Sequence, residues 1–167
     1  MEINSIHPFI DYLEKIRHRT LRLINVVPEA YFDWSYKPNK FSIGDQIRHI
    51  ATIERFMFVE IAAGRPSAYK GCGKDLADGF DQTMVLFNTL HQESLEILRN
   101  FTDADLQKKI ITFDNAQMTL WKWLRAMTEH EIHHRAELYL YLNILDVKTP
   151  PIFGFTAEEV EVKSIIH

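Results

Sequence analysis

The sequence predicts an all-α protein: a four-helix bundle with long crossover connections, plus a short C-terminal helix, in a single domain over residues 1–167. Three observations carry this. Apolar residues recur at three- and four-residue spacing over four long segments, as in helices with one buried face. Proline, glycine and capping residues stand at the ends of those segments. Two of the connectors are long enough to cross the bundle, so the topology is not confined to up-down-up-down. With 167 residues the chain can bury one core, and 46% hydrophobic and 25% charged residues are ordinary for a globular domain.

The first helix is expected from about Pro8 to Val27, with Ile6, Phe9, Leu13, Ile16, Thr20, Leu23 and Val27 on one face. Pro8 suits a first turn, and Pro28 marks the end. An aromatic-rich connector, "PEAYFDWSYKPNKF", then packs over the bundle. The second helix is expected from Ser42 to about Ala63. Ser42 and Asp45 form a capping-box pattern, and Gly64 and Pro66 stop the helix. A glycine-rich loop leads to the third helix, about Phe80 to Arg99, with the stripe Met84, Phe87, His91, Leu95 and Leu98. "FTDADLQKKI" holds a short helical turn, and "IITFDNAQM" a small extended piece turning at Asp114-Asn115. The fourth helix is expected from about Thr119 to Leu145. After Pro150-Pro151, Thr156 and Glu159 open the short last helix.

The formal net charge is −4, and Lys and Arg form no basic stripe, so the electrostatic footprint of nucleic-acid binding is missing. The N-terminal segment carries charges every few residues, unlike a signal peptide, and no apolar run reaches membrane-spanning length. One cysteine, Cys72, cannot form an internal disulfide, and a reducing cytoplasm is the expected setting. Cys72 lies between two glycines and reads as an incidental loop thiol.

The compositional anomaly is eight histidines. "TEHEIHHRAEL", Thr128 to Leu138, contains H-E-x-x-H literally: His130, Glu131, Ile132, His133, His134. On a helix turning about 100° per residue, His130 and His134 lie about 40° apart on one face, with Trp123 and Tyr141 along the same direction. Two imidazoles in an apolar stripe need a common partner, and i, i+4 side chains can converge on one metal ion. Glu131 and His133 lie about 80° to either side of that direction. Glu131 is a candidate base or hydrogen-bond acceptor; His133 is a candidate orienting or interface residue. Both also fit solvated or helix–helix roles. A third ligand must come from elsewhere, and spacing alone leaves His49 on helix two and His91 on helix three in competition. His7, His18 and His167 read as surface residues. The zinc-protease reading of H-E-x-x-H lacks its context. "RAELYLYL" follows His134, where no further ligand motif stands, and no strand is expected to lie beside a peptide.

Taken together, Trp34 and Pro38 in a W-x3-P connector, "SIGDQIRHI" at the start of helix two, "HEIHHRAEL" on a late helix and the following "LYLNILD" resemble the DinB / YfiT-like family over nearly the whole chain. The resemblance implies a four-helix bundle with a long crossover, often dimeric, carrying a divalent metal on three histidines. It selects His49 over His91, giving His49, His130 and His134 as the ligands. The sequence departs from the family at Ala136-Glu137, where relatives often read Gly-Gln. Several relatives are metal-dependent transferases using a low-molecular-weight thiol such as bacillithiol or mycothiol; others are described as hydrolases. The expected partners are therefore a low-molecular-weight thiol, a small electrophilic substrate and a second copy of the chain. Three neutral nitrogens suit zinc or nickel and leave a coordination position open, where a thiol or water loses its proton easily. The expected activity is S-transfer; small-molecule hydrolysis and a non-catalytic metal-binding role are the alternatives, the last favoured if His91 closed the site as a fourth ligand.

Overall fold

The computed structural model describes residues 2–165; His167 lies outside them. Helix α1 (Ile6–Ile24) buries Ile6, Phe9, Ile10, Leu13, Ile16 and Leu23 on one face. It starts two residues before Pro8, which keeps proline in the first turn, and stops three residues before Val27. Ser5 makes no capping bond. The backbone N–H of Ile6 instead donates to Oδ1 of Asp103, 2.8 Å away, so a distant segment satisfies the helix start.

The aromatic connector docks onto the next helix. Ile43 N donates to Trp34 O at 3.0 Å and Gly44 N to Phe32 O at 2.8 Å, which satisfies first-turn donors of α2 (Ile43–Ile53). A Cβ at Gly44 would stand 2.6 Å from the Phe32 ring. The close approach therefore requires glycine in "SIGDQ". Ser42 and Asp45 form the expected reciprocal capping box.

Beyond Ile53 the structure differs from a single regular helix. Glu54–Val59 is π-helical, followed by the short α3 (Glu60–Ala62). A π stretch widens the turn and shifts the register of later side chains. The Phe56 carbonyl within it accepts the Ala68 N–H at 2.7 Å, which fastens the following loop to this helix. Gly64 takes a positive φ of 74° past the helix end.

Helix α4 spans Gly79–Leu98 and α5 spans Leu120–Ile144. Between them, Asp105–Gln107 forms a 3-10 turn, and β1 (Lys109–Ile111) pairs antiparallel with β2 (Gln117–Thr119), Ile110 opposite Met118. Asn115 takes a positive φ of 60° in the expected turn. Thr156 and Glu159 cap α6 (Ala157–Ile165) reciprocally.

Helix packing runs α1 on α5, α5 on α2, α2 on α4 and α4 on α1. Sequence neighbours α1 and α2 thus stand at opposite corners, as do α4 and α5, which is why segments 25–42 and 99–119 must cross the bundle. The core has two apolar halves, one around Leu13, Phe58, Leu95 and Trp123, the other around Leu23, Ile47, Phe87 and Leu138. Between them along all four helices lies a buried polar layer: Arg17 and Thr20, Glu54, His91, and Glu131.

Candidate metal centre

The capping box and the connector fix the start of α2, so His49 projects from its second turn toward α5. His130 and His134, one turn apart on α5, face it. Ring centroids stand 5.1 Å apart for His49–His130, 4.7 Å for His49–His134 and 4.5 Å for His130–His134. One ring nitrogen from each lies within 4.8 Å of the others. Nε2 of His49 and Nε2 of His130 are 3.2 Å apart. Two nitrogens held by one tetrahedral zinc, each at roughly 2.1 Å, stand about 3.4 Å from one another. The cluster could therefore hold a divalent ion, and all three residues are half-buried.

Burial, and then the neighbouring His134, push the His49 imidazole down to about 4. Burial and then His134 and His49 push His130 down to about 3. His134 is lowered by burial, with Glu137 opposing. The three rings are thus neutral at pH 7, the form that coordinates a metal.

The outward nitrogens have partners. Nδ1 of His134 lies 2.7 Å from Oε2 of Glu137, which leaves Nε2 for the cluster. Nδ1 of His49 lies 2.9 Å from the Tyr69 hydroxyl. The Phe58 ring packs 5.7 Å from His130, and the Phe58 carbonyl is held by the Trp123 indole N–H at 2.9 Å. Phe41, half-exposed, lies 5.1 Å from His49, and its carbonyl accepts from the Tyr141 hydroxyl at 3.2 Å. Trp123 and Tyr141, which share the histidines' face in sequence, are both buried beside them.

Glu131 is placed differently from the expectation of a base beside the cluster. It is 2% exposed, accepts from the Thr20 hydroxyl at 2.6 Å, and pairs with Arg17 at 3.2 Å. Burial raises its carboxyl pKa, with Arg17 opposing. The side chain is committed to the contact with α1. His133 is exposed and lies 3.4 Å from Glu137. His91, the rival third ligand, donates from Nδ1 to Oε1 of Glu54 at 2.9 Å. Glu54 also binds Arg17 at 2.6 Å, whose guanidinium lies 4.0 Å over Phe87. His91 thus belongs to the buried polar layer, not to the cluster.

Two contributors escaped the sequence reading. Glu137 carries a local signal, since it stands three residues after His134 on the same helix. Tyr69 carries none: it comes from a loop and meets His49 only in the folded chain. Cys72, expected as an incidental loop thiol, lies in a loop and is buried, and burial raises its pKa.

The sequence matches the family model of the DinB superfamily over residues 12–138. The fold is similar to that of a DinB-like protein from Bacillus cereus ATCC 10987, with TM-score 0.69 and 16% identity, covering 89% of this chain and 97% of that one. It is also similar to the DinB-like protein YjoA from Bacillus subtilis, with TM-score 0.69 and 19% identity, covering 87% and 96%. A third similar structure is the four-helix bundle protein TT2238, with TM-score 0.62 and 17% identity, covering 81% and 98%. No curated protein matches the sequence. The crossed bundle and a family match running from α1 through both cluster histidines of α5 together establish that the chain belongs to the DinB superfamily.

Proposed function

We propose that the chain is a metal-dependent S-transferase, joining a low-molecular-weight thiol of the bacillithiol or mycothiol type to a small electrophile at the His49–His130–His134 cluster. The observation that carries this reading is the convergence of three half-buried, neutral imidazoles in a group that contains no carboxylate. His49, His130 and His134 would hold the ion. When bound, a divalent ion such as zinc or nickel supplies Lewis acidity to a thiol or to water.

The surrounding residues favour the thiol. A free thiol ionises near about 8.5 and bulk water near about 15.7, so water chemistry gains far more from a well-placed base. In an H-E-x-x-H metalloprotease the glutamate is that base. Here Glu131 is turned to Thr20 and Arg17, and Glu137 is on the outward nitrogen of His134. Phe41 and Phe58 flank the histidines with apolar surface, which suits a small electrophile with an apolar body. In the transfer the sulfur–carbon bond forms as the bond from that carbon to its leaving group breaks, and the thiol proton passes to solvent.

The test is product formation from a chloronitrobenzene by zinc- or nickel-loaded protein, with and without added thiol. Thioether that forms only with thiol and metal, and is lost in His49→Ala, His130→Ala and His134→Ala together with metal uptake, supports the reading. Hydrolysis without thiol would replace it with a hydrolase. Full metal content in His49→Ala would remove the third ligand.

A further inference from the structure

We propose that Tyr69 is a positioning residue: its hydroxyl holds His49 in the tautomer that turns the Nε2 lone pair toward His130 and His134. This rests on the metal-cluster reading above. A neutral imidazole carries one N–H. For Nε2 to offer a lone pair to a cation, the proton must sit on Nδ1, and there it needs an acceptor. The Tyr69 oxygen stands 2.9 Å from Nδ1, while Nε2 points at the Nε2 of His130, 3.2 Å away.

A hydroxyl can also donate, which would put the proton on the wrong nitrogen. The cluster decides the direction: Nε2 faces the Nε2 of His130 and the cation that the three rings would share, so the lone pair belongs there and the one proton of the neutral ring on Nδ1, with the Tyr69 oxygen 2.9 Å away as its acceptor. Burial first, and then Cys72, raise the Tyr69 hydroxyl to about 12, so it keeps its proton at physiological pH.

The loop that carries Tyr69 is fastened on both sides of it to the helix that carries His49. Before it, Arg65 pairs with Glu60, and Ala68 N–H donates to the Phe56 carbonyl in the π stretch at 2.7 Å. After it, the wholly buried Arg48 donates to the carbonyls of Cys72 at 2.9 Å and Ala77 at 3.1 Å. Arg48 is the residue beside His49, and Asp45 of the capping box holds its other end at 2.6 Å. Tyr69 and His49 are therefore referenced to the same few turns of α2, which preorganises the contact. On His134 the corresponding place is taken by Glu137.

Tyr69→Phe removes only the oxygen. Zinc affinity, measured by competition with a chromophoric chelator, is expected to fall 10- to 100-fold. Nitrogen NMR of the metal-free protein is expected to show His49 losing its uniform Nδ1–H form, which a merely structural role would leave unchanged. Cys72→Ser leaves the Tyr69 hydroxyl in place and should stay within a few-fold of the wild-type affinity. Tyr69→Phe binding zinc as tightly as wild type, with the His49 tautomer unaltered, overturns the proposal. The outcome is separable from failure of the cluster reading: wild type that takes up no zinc sinks that reading, whereas wild type and Tyr69→Phe binding equally, with His49→Ala impaired, sinks only the role of Tyr69.

Discussion

At the scale of single residues, Glu131 shows how one side chain can be spelled into a motif and used for something else. H-E-x-x-H places a glutamate beside two ligand-spaced histidines, but α5 turns that glutamate inward, where it accepts from the Thr20 hydroxyl and faces the Arg17 guanidinium. A buried charge stripped of its partner is strongly destabilising, because neither water nor another ion replaces the contact. Glu131→Gln is therefore expected to lower stability by about 1–3 kcal/mol while leaving zinc uptake intact. Denaturant melts and metal analysis on the same preparation check this; a variant of wild-type stability that lost activity would return Glu131 to a catalytic role. The residue beside it, His130, faces the opposite demand: it must remain neutral and open.

At the scale of elements, the decisive feature is the helix that starts at Ser42. Its beginning is fixed locally by the capping box and by Gly44 against Phe32, and these fix the height and direction of His49. Gly44→Ala would push a methyl to 2.6 Å from the Phe32 ring. The connector must then lift, at an expected cost of about 1–3 kcal/mol for overpacking. The measured outcome is a lower melting temperature together with weaker zinc binding, since Phe41 and the first turn of α2 shift with the connector; unchanged zinc affinity would show that His49 is positioned independently of it. The further end of the same helix is π-helical, and Glu54 at its start meets both Arg17 and His91. "TIERFMFVE" has no proline or glycine to announce such a turn.

At the scale of the whole molecule, the cluster joins α2 to α5, so its protonation and any metal it holds are both terms in folding stability. In the unfolded chain the histidines take up protons near 6.5; in the folded, metal-free chain His49 and His130 hold off until about 4 and about 3. Between those values the unfolded state binds more protons, so stability falls as the pH drops from 6.5 toward 4. Glu54, held low by Arg17 and His91 against the effect of burial, adds its own loss only at lower pH, below 4.5. Zinc at 100 times its dissociation constant is expected to add about 2.7 kcal/mol at neutral pH, and to lose that advantage on acidification as protons compete for the same nitrogens. Unfolding free energies measured from pH 7.5 to 4.5, with zinc and with chelator, check both slopes. A metal-free protein equally stable across that range would contradict the neutral, half-buried cluster.

The sequence by itself determined the four long helices, both capping boxes and the pairing of His130 with His134, because each depends on hydrogen bonds and faces repeated within a turn or two of helix. The family resemblance selected His49, and the folded chain brings it to the pair across 81 residues of sequence. Only the tertiary structure decided the rest. His91 lies on an apolar stripe much as a ligand would, and what removes it from the cluster is Glu54 on another helix. Tyr69 reaches His49 because Arg48 and the Phe56 carbonyl fasten its loop, and Glu131 faces inward because Arg17 lies across the interface. These are contacts between groups far apart in the chain. Local periodicity can give the face a side chain occupies, but its partner depends on which helices the crossovers bring together.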